Sequence, residues 1–124
     1  MSISEDGLHF QKKGPLITTP TGYTEHFRDP KVVSAKGGGY WMVLGVQQNN
    51  GFGAILLYAS PDGLQWAPHC IVGISQEYQM IECPDLFPLD GKKVLLYSPQ
   101  YRDNATNSSL NSFSVYKVFG NMIC

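Results

Sequence analysis

One short sequence pattern occurs twice in this chain and limits the folds that the chain can adopt. "SEDGLHF" at residues 4–10 returns as "SPDGLQW" at 60–66, and "YWMVLGVQ" at 40–47 is echoed by "KVLLYSPQ" at 93–100. The offsets, 56 and 53 residues, match the length of a four-stranded blade. In the first pattern Asp-Gly favours a turn, and the aromatic residue is suited to cover the edge of a blade. The repeat therefore predicts a β-propeller.

The spacing of the apolar segments also predicts an all-β fold. Short segments rich in Val, Ile, Leu and aromatic residues alternate with turns at intervals near ten residues, which is typical of a meander. "QNNGFG" (48–53) and "LDGKK" (89–93) are strong hairpin signals, because Asn, Asp and Gly tolerate positive φ. No segment places apolar residues at helical spacing over three turns. We therefore expect strands joined by tight turns.

A closed propeller needs at least about four blades, and a chain of 124 residues is too short for that. We expect one domain that holds about two adjacent blades. Residues 2–13 resemble the last strand of one blade, residues 27–72 a whole blade, and residues 85–120 the first strands of the next. Open sheet edges and uncovered faces are sticky, so we expect self-association.

Charge and composition exclude several classes of partner. The net charge is −1 and Lys and Arg form no block, so we expect neither nucleic acid nor an anionic membrane as a partner. No apolar run approaches ~20 residues, and no signal peptide is visible. Three cysteines (Cys70, Cys83 and Cys124) without a Cys-x-x-Cys pair argue against a disulfide framework and a zinc site. These features predict reduced thiols, a cytoplasmic setting and no bound metal.

Two segments carry carboxylates inside otherwise apolar sequence. "HFRDPKVV" (26–33) and "IECPDLF" (81–87) stand at equivalent positions of successive blades. The innermost strands of propeller blades line a central channel, so Arg28, Asp29 and Glu82 are expected to converge on one pocket. The alternative is purely structural, with turns at Asp-Pro and Pro-Asp and a solvated Arg-Asp pair.

Four segments together resemble consecutive motifs of glycoside hydrolase family thirty-two, which contains invertases, β-fructofuranosidases and sucrose-6-phosphate hydrolases. They are "FRDPKVV", "YWMVLGVQ", "GAILLYASPDGLQW" and "ECPDLFPLDGKKVLLYSPQ". The likeness runs from about residue 2 to residue 100 and is weak beyond that point. It implies about two blades of a five-bladed catalytic propeller whose axial pocket binds a fructose-containing saccharide. It also implies a retaining mechanism without a cofactor.

The resemblance assigns roles to individual residues. Glu82 matches the general acid/base, Asp29 matches the transition-state stabiliser that holds fructose hydroxyls, and Arg28 matches an arginine that contacts the substrate. Cys83 and Asp85 follow in the same motif and are expected to contact the site residues rather than the substrate. Retaining glycoside hydrolysis uses paired carboxylates around an oxocarbenium-like transition state, which suits these residue types.

The sequence departs from the family pattern at one important point. The family's nucleophile lies in a motif containing Asn-Asp-Pro, and this sequence has no such motif; its Asn49-Asn50 pair is followed by Gly51. We therefore expect the chain to carry the acid/base and the stabiliser but to be inactive alone. Two alternatives stay open: a fragment that binds carbohydrate without turnover, and a self-assembling unit with no role toward sugar.

Overall fold

The computed structural model describes residues 1–72, 77–103, 108–110, 113–120 and 123–124. Every regular element in these ranges is a β-strand, which confirms the all-β prediction, and no helix there is long and apolar enough to cross a membrane. The strands are β1 (Ser2–Ile3), β2 (Gln11–Lys12), β3 (Tyr23–Ser34), β4 (Tyr40–Gln48), β5 (Gly53–Ser60), β6 (Ala67–Val72), β7 (Met80–Leu89), β8 (Lys92–Asp103), β9 (Ser108–Leu110) and β10 (Val115–Phe119).

Antiparallel pairing gathers these strands into two four-stranded sheets and one small hairpin. The first sheet has the order β3-β4-β5-β6, and the second has the order β10-β8-β7 with β9 also paired to β8. The strands β1 and β2 form the hairpin. Both turns that the sequence predicted are present: Gly51 has φ 87°, and Asp90 and Gly91 have φ 48° and 74°.

The repeated turns at residues 4–10 and 60–66 have the same structure. In each copy the serine hydroxyl accepts a hydrogen bond from the glycine amide at 2.8 Å. The aspartate Oδ1 accepts two more, each at 2.8 Å, from the amides of the second and third residues after it. The strand register next to the turns also matches, with Ile3 opposite Gln11 and Ala59 opposite Ala67. The sequence repeat is therefore a repeat of main-chain structure.

Apolar residues on alternate positions of β4 and β5 bury both faces of the first sheet. One face packs against the second sheet, and the other packs under the N-terminal segment and Trp66. The core between the sheets contains Val43, Ile55, Leu57, Val72, Ile81, Leu86, Leu95, Tyr97 and Ile123. Full burial of such a side chain stabilises a fold by roughly 1.5–3 kcal/mol. This core fixes the position of β7 beside the first sheet.

Two glycines bring the main chain of β7 directly against the first sheet. A β-carbon on Gly45 would overlap the carbonyl oxygen of Ile81, and one on Gly53 would lie 2.7 Å from main-chain atoms of Met80. The amide of Gly53 donates a hydrogen bond to the carbonyl oxygen of Tyr78 at 2.7 Å. The two sheets therefore meet backbone to backbone at these positions.

The cysteines differ from the sequence-based prediction. Cys70 on β6 and Cys124 form a disulfide, with their Cα atoms 6.4 Å apart, while Cys83 is free. The prediction of three reduced thiols is therefore wrong for this pair. An odd count and the absence of Cys-x-x-Cys do not show which cysteines become neighbours across 54 residues of chain. The cytoplasmic setting, which was inferred from reduced thiols, stays a prediction and loses that support.

Candidate functional site

The first strands of the two sheets are each interrupted by a β-bulge at the motifs that the sequence singled out. Asp29-Pro30 on β3 and Cys83-Pro84 on β7 each face a single residue of the neighbouring strand. Asp29 has φ 57° and Cys83 has φ 47°. Positive φ is uncommon for residues other than glycine, and bulges of this kind redirect side chains near active sites. The two bulges therefore place their side chains at the junction of the sheets.

Three residues of the segment 28–31 each contact one residue of the segment 82–85 across this junction. Each contact joins residues that are 54 positions apart. The contacts are Arg28 Nη2 to Glu82 Oε1 at 3.1 Å, the amide of Cys83 to Asp29 Oδ2 at 3.0 Å, and Lys31 Nζ to Asp85 Oδ1 at 3.3 Å. All five residues that the sequence predicted for the site therefore lie at one place.

The ion pair between Arg28 and Glu82 is the more enclosed of the two charge pairs. The Glu82 side chain is 19% exposed and the Arg28 side chain 39%. The guanidinium compensates a carboxylate that is largely removed from water. The Nε atom of Arg28 is buried and has no hydrogen-bond partner among the residues that the structure describes. It is a donor that a ligand oxygen could satisfy.

Asp29 is held by the residue next to the proposed acid. Its Oδ2 accepts the Cys83 amide at 3.0 Å, and the thiol Sγ lies 3.7 Å from the same oxygen. Partial burial raises the pKa of the Cys83 thiol, and the Asp29 and Glu82 carboxylates raise it further, while Arg28 opposes them. The thiol therefore stays protonated near neutral pH and acts as a weak donor to Asp29 rather than as a nucleophile.

Two further residues at the junction lie outside the set of predicted site residues. Lys31, which pairs with Asp85, was not singled out. The signal that could have found it is the opposite charge at the position equivalent to Asp85 in the repeat. Gln47 is the second: its Nε2 donates to the carbonyl oxygen of Gln79 at 2.6 Å, and Thr24 donates to its Oε1 at 3.3 Å. Gln47 therefore ties β4 and β3 to the segment that leads into β7.

A cleft of about 630 Å³ lies beside this junction, on the other face of the first sheet. Arg28 is part of its wall together with apolar residues such as Leu16, Met42 and Trp66, whereas Asp29 and Glu82 do not line it. Within the described ranges, His, Cys, Asp and Glu side chains form no group of three or more that could hold a metal ion. The chemistry that the junction supports is that of an arginine with two carboxylates, which suits proton transfer and stabilisation of positive charge.

Curated proteins of known activity are similar to this chain over most of its length. The sucrose-6-phosphate hydrolase of Bacillus subtilis (strain 168) is 43% identical over 106 residues, which are 81% of this chain and 22% of that protein. The sucrose-6-phosphate hydrolase of Salmonella typhimurium is 41% identical over 90% of this chain. The raffinose invertase of Escherichia coli is 34% identical over 98% of it. The chain spans about a quarter of the length of these relatives.

Solved structures show the same fold. A variant of the Bombyx mori β-fructofuranosidase in complex with sucrose matches 96% of this chain and 26% of its own, with a TM-score of 0.77 and 31% identity. The sucrose-6-phosphate hydrolase of Lactobacillus gasseri matches 94% of this chain and 25% of its own, with a TM-score of 0.76 and 29% identity. The predicted fold, about two blades of a five-bladed propeller, is confirmed.

The family model for the N-terminal domain of glycosyl hydrolases family 32 matches residues 1–122. This range includes both bulged segments and both copies of the repeated turn. The resemblance inferred from the motifs is therefore confirmed, and the chain belongs to glycosyl hydrolase family 32.

Proposed function

We propose that this chain is part of the catalytic propeller of a retaining glycoside hydrolase that cleaves β-fructofuranosyl bonds. The proposed substrates are fructose-containing saccharides: sucrose, sucrose 6-phosphate or fructans. The observation that carries the proposal is the junction of residues 28–31 with residues 82–85, which brings an arginine and two carboxylates together. The names of the relatives, sucrose-6-phosphate hydrolase and raffinose invertase, support this substrate class.

Each residue at the junction has a proposed role. Glu82 gives a proton to the leaving oxygen and later takes one from water. Asp29 binds hydroxyl groups of the fructose ring, and these hydrogen bonds strengthen as positive charge builds on the sugar. Arg28 contacts the substrate and compensates Glu82. Cys83 and Asp85 contact these groups rather than the substrate. The mechanism uses neither a metal ion nor an organic cofactor.

The isolated chain is proposed to lack the nucleophile. A retaining mechanism needs a second carboxylate about 5–5.5 Å from the acid, which forms the glycosyl-enzyme intermediate. The sequence has no Asn-Asp-Pro motif to supply it. We also propose the division of the chain into the end of one blade (2–13), a whole blade (27–72) and the first strands of the next (85–120). On this division, the nucleophile belongs to a blade that residues 27–120 do not form.

Nuclear magnetic resonance of the purified chain, titrated with sucrose, sucrose 6-phosphate or inulin, tests the binding part of the proposal. We expect amide shifts at the residues other than proline in segments 28–31 and 82–85 at millimolar sugar, the range expected for an incomplete site, and none in the β1–β2 hairpin. Asp29→Asn should raise the Kd obtained from these shifts about tenfold. Glu25→Gln removes an exposed carboxylate from the same strand and serves as the matched control.

Glucose release from sucrose tests the catalytic part. We expect no enzyme-like turnover by the chain alone. Turnover that disappears in Glu82→Gln and persists in Glu25→Gln would show that a nucleophile is supplied after all. An absence of shifts at the junction with all three sugars would contradict the proposed binding role.

Self-association is proposed from the surface of the second sheet. Its outer face carries Leu96, Tyr116 and Val118, which are 39%, 70% and 47% exposed. The strand β10 stands at the end of the strand order of this sheet and presents its outer edge. An apolar face beside an open edge favours pairing with another chain. We propose a two-fold pair in which residues 2–13 of one copy extend the sheet formed by residues 85–120 of the other.

A further inference from the structure

The two bulged segments are complementary in charge. The β3 segment reads Arg-Asp-Pro-Lys and the β7 segment reads Glu-Cys-Pro-Asp, so a basic residue faces an acidic one at both ends. The hydrogen bond from the Cys83 amide to Asp29 lies between these two ion pairs. The Lys31–Asp85 pair is therefore the outer boundary of a contact whose centre is Asp29.

The environment of Asp85 shows that Lys31 is its charge partner. Asp85 Oδ1 is buried and accepts no hydrogen bond from the residues that the structure describes, while Lys31 Nζ lies 3.3 Å away. The Lys31 and Asp85 side chains are 50% and 40% exposed. Ion pairs that are this exposed add little to global stability. A role for this pair therefore lies in local geometry rather than in the stability of the fold.

The local geometry needs support because both bulges are unfavourable for their residues. Asp29 and Cys83 have positive φ, a conformation that persists in residues other than glycine only when the surroundings impose it. The proline after each of them fixes its own φ and leaves less freedom to the bulge. One ion pair lies on each side of the Cys83–Asp29 hydrogen bond, where it can hold the bulges against each other.

We propose that Lys31 and Asp85 are positioning residues, whose ion pair keeps the two bulges in register so that the Cys83 amide stays bound to the Asp29 carboxylate. The catalytic meaning of this device rests on the proposed role of Asp29 as transition-state stabiliser. The positioning effect of the ion pair is a property of the junction, and it can be measured without any sugar.

The Cys83 thiol is a built-in reporter of the contact. Cys83 is partly exposed, and the other two cysteines form the disulfide, so alkylation by iodoacetamide measures Cys83. The thiolate is the reacting species, so a lower pKa gives a faster reaction. Neither β4 nor β5, which also pack on β7, has a charged side chain. On β8 the residue opposite the bulge is Tyr97, while Lys92 and Lys93 lie opposite Leu89 and Pro88, away from it. The charged groups at the bulges are Arg28, Asp29 and Lys31 on β3, and Glu82 and Asp85 on β7.

Lys31→Met distinguishes a positioning role from a direct electrostatic effect, because the two change the alkylation rate of Cys83 in opposite directions. Removal of a nearby positive charge raises the pKa of a thiol and slows alkylation. Separation of the Asp29 carboxylate from Cys83 lowers that pKa and speeds alkylation. We expect the rate at about pH 8 to rise about threefold, because a lower pKa of the thiol leaves more of the reactive thiolate. Asp29→Asn, which removes the carboxylate altogether, gives the upper limit of the alkylation rate. Lys36→Met removes an exposed positive charge from a turn and is the control.

The reversed pair, Lys31→Asp with Asp85→Lys, provides the rescue. We expect its alkylation rate to return to that of the unmodified chain. We also expect the residue-83 amide proton, which shifts with pH in the unmodified chain because it binds a carboxylate, to lose that shift in Lys31→Met and regain it in the reversed pair. Slower alkylation in Lys31→Met, with an unchanged far-ultraviolet circular dichroism spectrum, would overturn the proposal. Lys31→Gln repeats the test if Lys31→Met does not fold. These measurements use no sugar, so their outcomes do not depend on whether the proposed function is correct.

Discussion

The turns at residues 4–10 and 60–66 share the hydrogen bonds from main-chain amides to their serine and aspartate side chains, but their surroundings differ. Ser60 is 5% exposed, and Trp66 packs against the second core cluster and donates its Nε1 to the Gly63 carbonyl oxygen at 3.1 Å. In the first copy Phe10 is 65% exposed and Leu8 is 82% exposed. The turn geometry is therefore a property of the local sequence, whereas burial of the aromatic residue depends on the strands around it.

This difference decides how much each copy stabilises the fold. The strands β1 and β2 have two residues each, and an isolated hairpin of that size is marginal in water. The second copy joins β5 to β6, both of which belong to a four-stranded sheet with an apolar core. Changes at equivalent positions are therefore expected to have unequal effects, which four experiments can measure.

The largest expected effect comes from removal of the first copy. If residues 2–13 complete the second sheet of another chain, deletion of residues 1–13 should lower both the solubility and the order of the oligomer. Light scattering with size-exclusion chromatography measures this on the intact and shortened chains. A stable monomer of the intact chain at micromolar concentration would rule out the proposed exchange.

The aromatic residues of the two copies provide a matched pair for stability. Trp66→Ala should lower the free energy of unfolding by about 2 kcal/mol, less than a fully buried tryptophan, because part of the ring is exposed. Phe10→Ala should change it by less than about 0.5 kcal/mol. Urea denaturation measures both. Equal losses would contradict the view that only the second copy is built into a core.

The turn glycines test backbone strain in the same way. Gly7 and Gly63 both have φ 76°, where alanine is strained by about 1 kcal/mol. Gly63→Ala should lower the free energy of global unfolding by about that amount. Gly7→Ala should leave it unchanged, because the hairpin opens on its own, and should instead speed hydrogen exchange at the amides of the first turn. A global loss in Gly7→Ala would show that the hairpin unfolds together with the sheets.

The smallest expected effect concerns the charges of the two turn aspartates. A hydrogen bond from the His9 side chain, followed by main-chain amides, lowers the pKa of Asp6 well below its ordinary value, whereas amides of Gln65 and Leu64 lower that of Asp62. His9→Gln gives the first turn the residue of the second, so it should raise the pKa of Asp6. Carbon-detected titration of the carboxyl groups measures this.

The pH dependence follows from the sign of these shifts. A carboxyl whose pKa is lowered by folding supports its turn fully above the ordinary value of 3.8 and loses that contribution as the pH falls through the lowered value. In His9→Gln the first turn should therefore loosen at a higher pH than in the unmodified chain. An unchanged Asp6 pKa would show that the amides alone hold the carboxylate.

Much of this structure was predictable because its signals are local or periodic. Asp-Gly and Asn-Gly dipeptides specify turns, and the repeat relates residues 26–33 to residues 81–87. It was therefore possible to predict that Arg28-Asp29 and Glu82 meet. The roles of these residues stay a prediction from the resemblance, since contact alone does not establish chemistry.

The rest depends on interactions that no short stretch of sequence encodes. Positive φ at Asp29 and Cys83 is imposed by the partner strands and has no glycine to signal it. Consequently the contact of Cys83 with Asp29 was not foreseen, and Lys31 was overlooked. The disulfide between Cys70 and Cys124 joins residues whose proximity results from the packing of the whole chain.

The two glycines at the contact between the sheets have a consequence for the whole ring. A propeller is a circle of wedges, and the angle of each wedge sets how many are needed to close the circle. At Gly45 and Gly53 the two sheets touch through main-chain atoms, so even a methyl group there would force main-chain atoms apart. Glycine at these two positions therefore allows neighbouring blades to pack closely, which brings their inner strands near one common axis. The number of blades that close the ring depends in part on this close packing.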